Sequence, residues 1–82
     1  MGGMNNDSLV VIRQNNNGMV FKSNKLPSIF NVYILKKRSF KNGSFRWAIG
    51  IEHAHNEAKH FIIDNIIGTQ EDAINMLKSI LS

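Results

Sequence analysis

Five basic side chains fall within eleven positions with no acid among them: Lys36, Lys37, Arg38, Lys41 and Arg46. Neutralising a phosphate backbone releases its condensed counterions, so such a cluster suits a polyanion. A two-stranded ribbon carrying it fits the DNA major groove, where Arg can read guanine. Tyr33 and Phe40 lie within or beside the cluster and are candidates for stacking on bases. Trp47 is as close, but it alternates in phase with Phe45, Ile49 and Ile51, and a strand face that apolar belongs to a core. The candidate nucleic-acid-binding residues are therefore Lys36, Lys37, Arg38, Lys41, Arg46, Tyr33 and Phe40, with DNA favoured over RNA.

Other chemistry is thinner. His53 and His55 would project to one side of an extended strand, and Glu57 and His60 follow, so a zinc site of nitrogen and oxygen ligands can be drawn. That spacing matches no zinc signature and the chain has no cysteine, so solvated loop histidines are expected instead. No nucleophile sits in a known motif, and there is no Gly-rich phosphate loop or paired-carboxylate pattern. The expectation is a protein without catalytic residues, metal or cofactor.

Charge placement says more than the net +4. Residues 1 to 51 hold eight basic residues and one acid, whereas residues 52 to 82 hold two basic and five acidic, giving +7 and −3. This asymmetry suits a nucleic-acid-binding module. It suits equally a small protein-interaction module, an inhibitor or regulator docking on an acidic or nucleic-acid-binding partner.

Eighty-two residues make one domain, which buries about 60 to 65% of the surface its unfolded chain exposes. The absence of cysteine favours an intracellular, cytoplasmic setting, and no apolar run approaches the ~20 residues that span a bilayer. The opening Met1-Gly2-Gly3 reads as a cloning extension, leaving residues 4 to 82 as the domain.

The elements that must position the cluster follow from periodicity. Leu9 to Gln14 has the β-branched content of a strand, Asn15-Asn16-Asn17-Gly18 that of a tight turn, and Met19 to Lys22 that of the returning strand. Pro27 marks a connector. Ile29 to Lys37 reads as a central strand with Phe30, Val32 and Ile34 on one face and Asn31, Tyr33 and Leu35 on the other. Asn42-Gly43 signals a turn into a strand whose second face, at Ala48 and Gly50, is small enough for something to lie against it. His60 to Asp64 reads as the last strand. Thr69 then caps a helix with Asp72 at its third position, and Ala73, Ile74, Leu77, Ile80 and Leu81 form one apolar face. The predicted fold is α+β: a small antiparallel sheet of four to five strands packed against one C-terminal amphipathic helix. Unpaired strand edges make a homodimer a further expectation.

From Tyr33 onward the order of strand, basic turn, aromatic-rich strand, strand and capped helix resembles the N-terminal arm-binding domain of phage tyrosine integrases. It is similar also to plant ethylene-response-factor DNA-binding domains. The matching residues are Lys36-Lys37-Arg38, Lys41-Asn42-Gly43, Arg46-Trp47, and Gly68-Thr69-Gln70-Glu71-Asp72-Ala73 with Leu77 and Leu81. The resemblance implies a three-stranded sheet in the major groove, the helix behind it, and DNA contacts from Lys36, Arg38, Lys41 and Arg46. The chain departs from the pattern in its longer, more acidic turn at His53 to Lys59, in Ile66-Ile67 before the cap, and in residues 4 to 32.

Overall fold

A computed structural model describes residues 9–39, 45–56 and 58–82. The extension read at residues 1 to 3 lies outside the described residues, as do Phe40, Lys41, the Asn42-Gly43 turn and Glu57.

Among the described residues five strands precede one helix: β1 (Leu9–Asn15), β2 (Gly18–Ser23), β3 (Phe30–Ser39), β4 (Phe45–His53), β5 (Lys59–Gly68) and α1 (Gln70–Leu81). Each strand pairs antiparallel with the next in one meander, so the first hairpin belongs to the main sheet. In its turn Asn15 Oδ1 accepts from the Asn17 amide at 2.7 Å, the local side-chain bond for which Asn is favoured in turns.

The helix begins where the sequence specifies. Thr69 is extended (φ −94, ψ 171), its hydroxyl accepts from the Asp72 amide at 3.2 Å, and the Asp72 carboxylate accepts from the Thr69 amide at 2.9 Å. Two of the amides a helix start leaves unpaired are thereby satisfied. Ala73 and Leu77, fully buried, pack on Met19, Phe21, Val32, Ile34, Trp47 and Ile49. Trp47 is core, as its in-phase neighbours required, and its indole Nε1 donates to the Gly68 carbonyl at 3.0 Å, tying β4 to the residue before the cap.

One element differs from expectation. β5 does not stop at Asp64 but runs to Gly68, because Asn65 takes the left-handed conformation (φ 62) that Asn tolerates. Pairing steps over Asp64 and Asn65: Ile63 lies opposite Ile49, and Ile66 opposite Trp47. Such a bulge bends the strand and increases its twist. No helix among the described residues is long and apolar enough to cross a membrane.

Candidate nucleic-acid interface on the helix-free face

The helix covers the face carrying Met19, Phe21, Val32, Ile34, Trp47 and Ile49. Among the described residues no helix lies against the opposite face, formed by the alternate residues.

Near the β3–β4 turn the ladder is irregular. Lys36 lies opposite Trp47 and Ser39 opposite Phe45, so Lys37 and Arg38 together face Arg46. A bulge of this kind re-aims side chains, and here it gathers three cations at one corner of the sheet. Lys37, on the helix-free side, places Nζ 3.0 Å from Asp64 Oδ2 and 5.0 Å from the Phe61 ring centre. Arg46 donates to Asn65 Oδ1 at 2.9 Å, and Arg38 is exposed. The β5 bulge therefore supplies the partners of both cations facing it. Hydrogen bonding from Lys37, then from the Asn65 amide, holds the Asp64 carboxyl below the ordinary aspartate range, with the Lys37 and Arg46 charges adding to the effect.

Lys36 separates from this group. It points to the helix side, its ammonium 4.6 Å over the Phe45 ring, and lines a depression of about 540 Å³ between the first hairpin turn and the start of α1. Tyr33 is also placed otherwise than an exposed stacking ring requires, being only 3% exposed. Its ring lies across Gly50 and meets Phe61 edge-on at 6.1 Å. The small face at Ala48 and Gly50 thus receives a tyrosine of the neighbouring strand, while the helix takes the other side. Phe61, 55% exposed, presents its ring at the surface of this face.

Four residues here were not singled out by sequence: Arg13, Glu52, Lys59 and Phe61. Arg13 on β1 pairs with Glu52 on β4, across two intervening strands. Strands three apart in a sheet are separated by ~14 Å, so the pair bridges the helix-free face over β2 and β3. On this face Glu52 is only 2% exposed and Ala48 is fully buried. Beside them opens a cleft of about 380 Å³ whose lining includes Arg13, Val20, Tyr33, Glu52, Lys59 and Phe61. Glu52 Oε2 takes Arg13 and, at 3.5 Å, Asn31 Nδ2, while Lys59 Nζ stands 3.5 Å from Oε1. Two buried polar atoms, Tyr33 Oη and Glu52 Oε1, have no hydrogen-bond partner among the described residues. Burial, reinforced by the Glu52 charge, raises the Tyr33 phenol above its usual range.

His53 Nδ1 accepts from the His55 amide at 3.2 Å, and the His53 ring packs edge-on against Phe30. Among the described residues no three His, Cys, Asp or Glu side chains converge as a metal site. Comparison with protein-family models, curated proteins and solved structures gives no match for this chain.

Proposed function

We propose that this protein is a non-catalytic nucleic-acid-binding module that grips phosphates at the β3–β4 hairpin. The observation that carries the reading is the bulge that sets Lys37 and Arg38 against Arg46, in the half of the chain holding eight basic residues and one acid. Lys41 falls in the same turn by sequence, and Lys36 lies on the other side of the strand, able to follow a backbone around the corner. The hollow of the helix-free face, with Phe61 at its rim, suits a single strand whose bases stack on a ring better than it suits the groove of a duplex.

The test is titration of labelled single-stranded DNA, RNA and duplex DNA at several salt concentrations. It compares the wild type with Lys37→Ala, Arg38→Ala and Arg46→Ala. Each cation removed from a phosphate should lower the slope of log affinity against log salt by about 0.7 on single strands or about 0.9 on duplex. Unchanged slopes in all three variants would remove this corner from the interface, and no binding at low salt would end the reading.

The sheet edges support a second reading, a protein-interaction module or homodimer. Val10, Val11 and Ile12 on β1, and Ile62 and Ile67 on β5, are exposed large apolar residues on edge strands, where another chain can add. Concentration-dependent mass in solution would favour it.

A further inference from the structure

Edge strands invite pairing with another chain, and proteins ordinarily blunt them with charge, proline or bulges. The two edges of this sheet differ in that respect. On β5 the ladder slips twice, leaving Ile62 over between Phe61 and Ile63 and then passing Asp64-Asn65, and the strand carries Lys59 and Asp64. On β1 the residues from Leu9 to Val11 pair regularly with Ser23, Lys22 and Phe21, and the irregularity comes only at Ile12. That regular stretch holds no charge and no proline.

Its side chains point to both faces. Val10 lies opposite Lys22 on the helix-free face and Val11 opposite Phe21 on the helix side, yet they are 56% and 44% exposed. Among the described residues α1 lies over β3, β4 and β5 and leaves β1 uncovered. A run apolar on both faces is the composition of a strand with neighbours rather than of a solvated edge. Beside Val10 opens a depression of about 360 Å³, lined also by Lys22, Asn24 and Leu26, with room for an apolar side chain reaching across the edge.

Charge and symmetry select the chain that fits. A strongly charged strand gains nothing from Leu9 to Val11, whereas a second copy brings the same uncharged run. Antiparallel pairing also points the two β3–β4 corners in opposite directions, so Lys37, Arg38 and Arg46 of the two copies stay apart. Pairing of β1 with β5 of another copy is head-to-tail and does not close. A two-fold axis perpendicular to the sheet keeps each side chain on its own face, and directly opposite residues share a face, so one residue must lie opposite itself. Centred on Val10, the register sets Leu9 against Val11 of the second copy. Centred on Val11, it would set Leu9 against Arg13, beyond the irregularity at Ile12.

We propose that two copies of this chain pair antiparallel through β1, Val10 against Val10, joining two five-stranded sheets into one. This rests on the second reading above and names its partner and register. So short a contact buries well under the ~1,200 Å² of a standard interface, so the dissociation constant is on the order of 0.1 mM.

Sedimentation equilibrium of the wild type from about 0.01 to about 1 mM should show the mass rise toward a dimer and no further. Val10→Lys, which sets two ammonium groups face to face, should weaken association roughly tenfold or more, and Ile62→Lys on the other edge should leave it unchanged. Val10 is exposed, so Val10→Lys should melt near the wild-type temperature. The chain has no cysteine, so Val10→Cys supplies a single thiol, and opposed Cβ atoms about 4.5–5.5 Å apart approach disulfide reach. In a glutathione redox buffer Val10→Cys should cross-link into a dimer and Ile62→Cys should not. A wild type monomeric at every concentration would end the homodimer reading and the proposal together. Association that survives Val10→Lys, is lost in Ile62→Lys, or runs past the dimer would keep self-association and overturn the β1 interface; association lost in Val10→Lys with no cross-linking in Val10→Cys would overturn the Val10 register.

Discussion

Replacing Gly50 by Ala probes the packing on which the helix-free face depends. A Cβ at this position would lie 2.5 Å from the His60 carbonyl oxygen of β5 and 2.5 Å from both Cζ and Oη of Tyr33. The tyrosine ring can swing away, but the β5 backbone moves only by opening the β4–β5 ladder. Overpacking of this kind costs about 1–3 kcal/mol, and the reduced entropy of the unfolded chain returns about 0.4–1 kcal/mol. The net loss is about 1–2 kcal/mol, or roughly 4–16 °C in melting temperature for a domain of this size. Thermal denaturation followed by circular dichroism reads it directly. Gly50→Ala combined with Tyr33→Phe should recover part of the loss, since the clash with Oη disappears, but not all of it, since the ring Cζ and the His60 carbonyl remain. A Gly50→Ala protein that melts at or above the wild-type temperature would refute the close approach of Tyr33 and β5 to Gly50.

Thr69→Ala removes the hydroxyl that accepts from the Asp72 amide and should cost about 1 kcal/mol; Thr69→Ser should restore it, and equal melting of all three proteins would show the cap to be idle. Asp64→Asn removes the acid that holds Lys37, so binding to nucleic acid should tighten at low salt, and unchanged affinity would place Lys37 outside the interface. The Asp64 carboxyl is depressed in the folded state, so its contribution to stability is complete above the unfolded value near 4 and is lost as pH falls through the lower folded value. The acid limb of a pH–stability curve should therefore be shallower in Asp64→Asn, and superimposable curves would contradict the Lys37–Asp64 pair.

Much of the fold is written in local patterns. The spacing of Ala73, Leu77 and Leu81 and the Thr69–Asp72 cap specify α1, and the alternation of Phe45, Trp47, Ile49 and Ile51 assigns β4 its buried face. What local pattern cannot carry is register. Asp64-Asn65 reads as the end of a strand, and only pairing with β4 turns it into a bulge inside one. The offset that sets Lys37 and Arg38 against Arg46, and turns Lys36 to the other side, is likewise a property of two strands together. The Arg13–Glu52 pair joins residues 39 positions apart, beyond any periodicity. A signal did exist for Glu52: it is the first acid after Asp7, in phase with Ala48 and Gly50 on the face that small residues had marked as a place of close approach. Tyr33 reads as a stacking ring because nothing in its own strand shows that Gly50, on the neighbouring one, makes room for it.

Whether nucleic acid lies on the helix-free face at the β3–β4 corner is decided by backbone-amide NMR of the full chain titrated with a ten-nucleotide single strand. Shifts should concentrate at Lys37, Arg38, Arg46, Gly50 and Phe61 and fade as salt is raised. Shifts confined to Val10 to Ile12 on the β1 edge, or to Met76 and Ile80 on the helix, would place the strand elsewhere and contradict it.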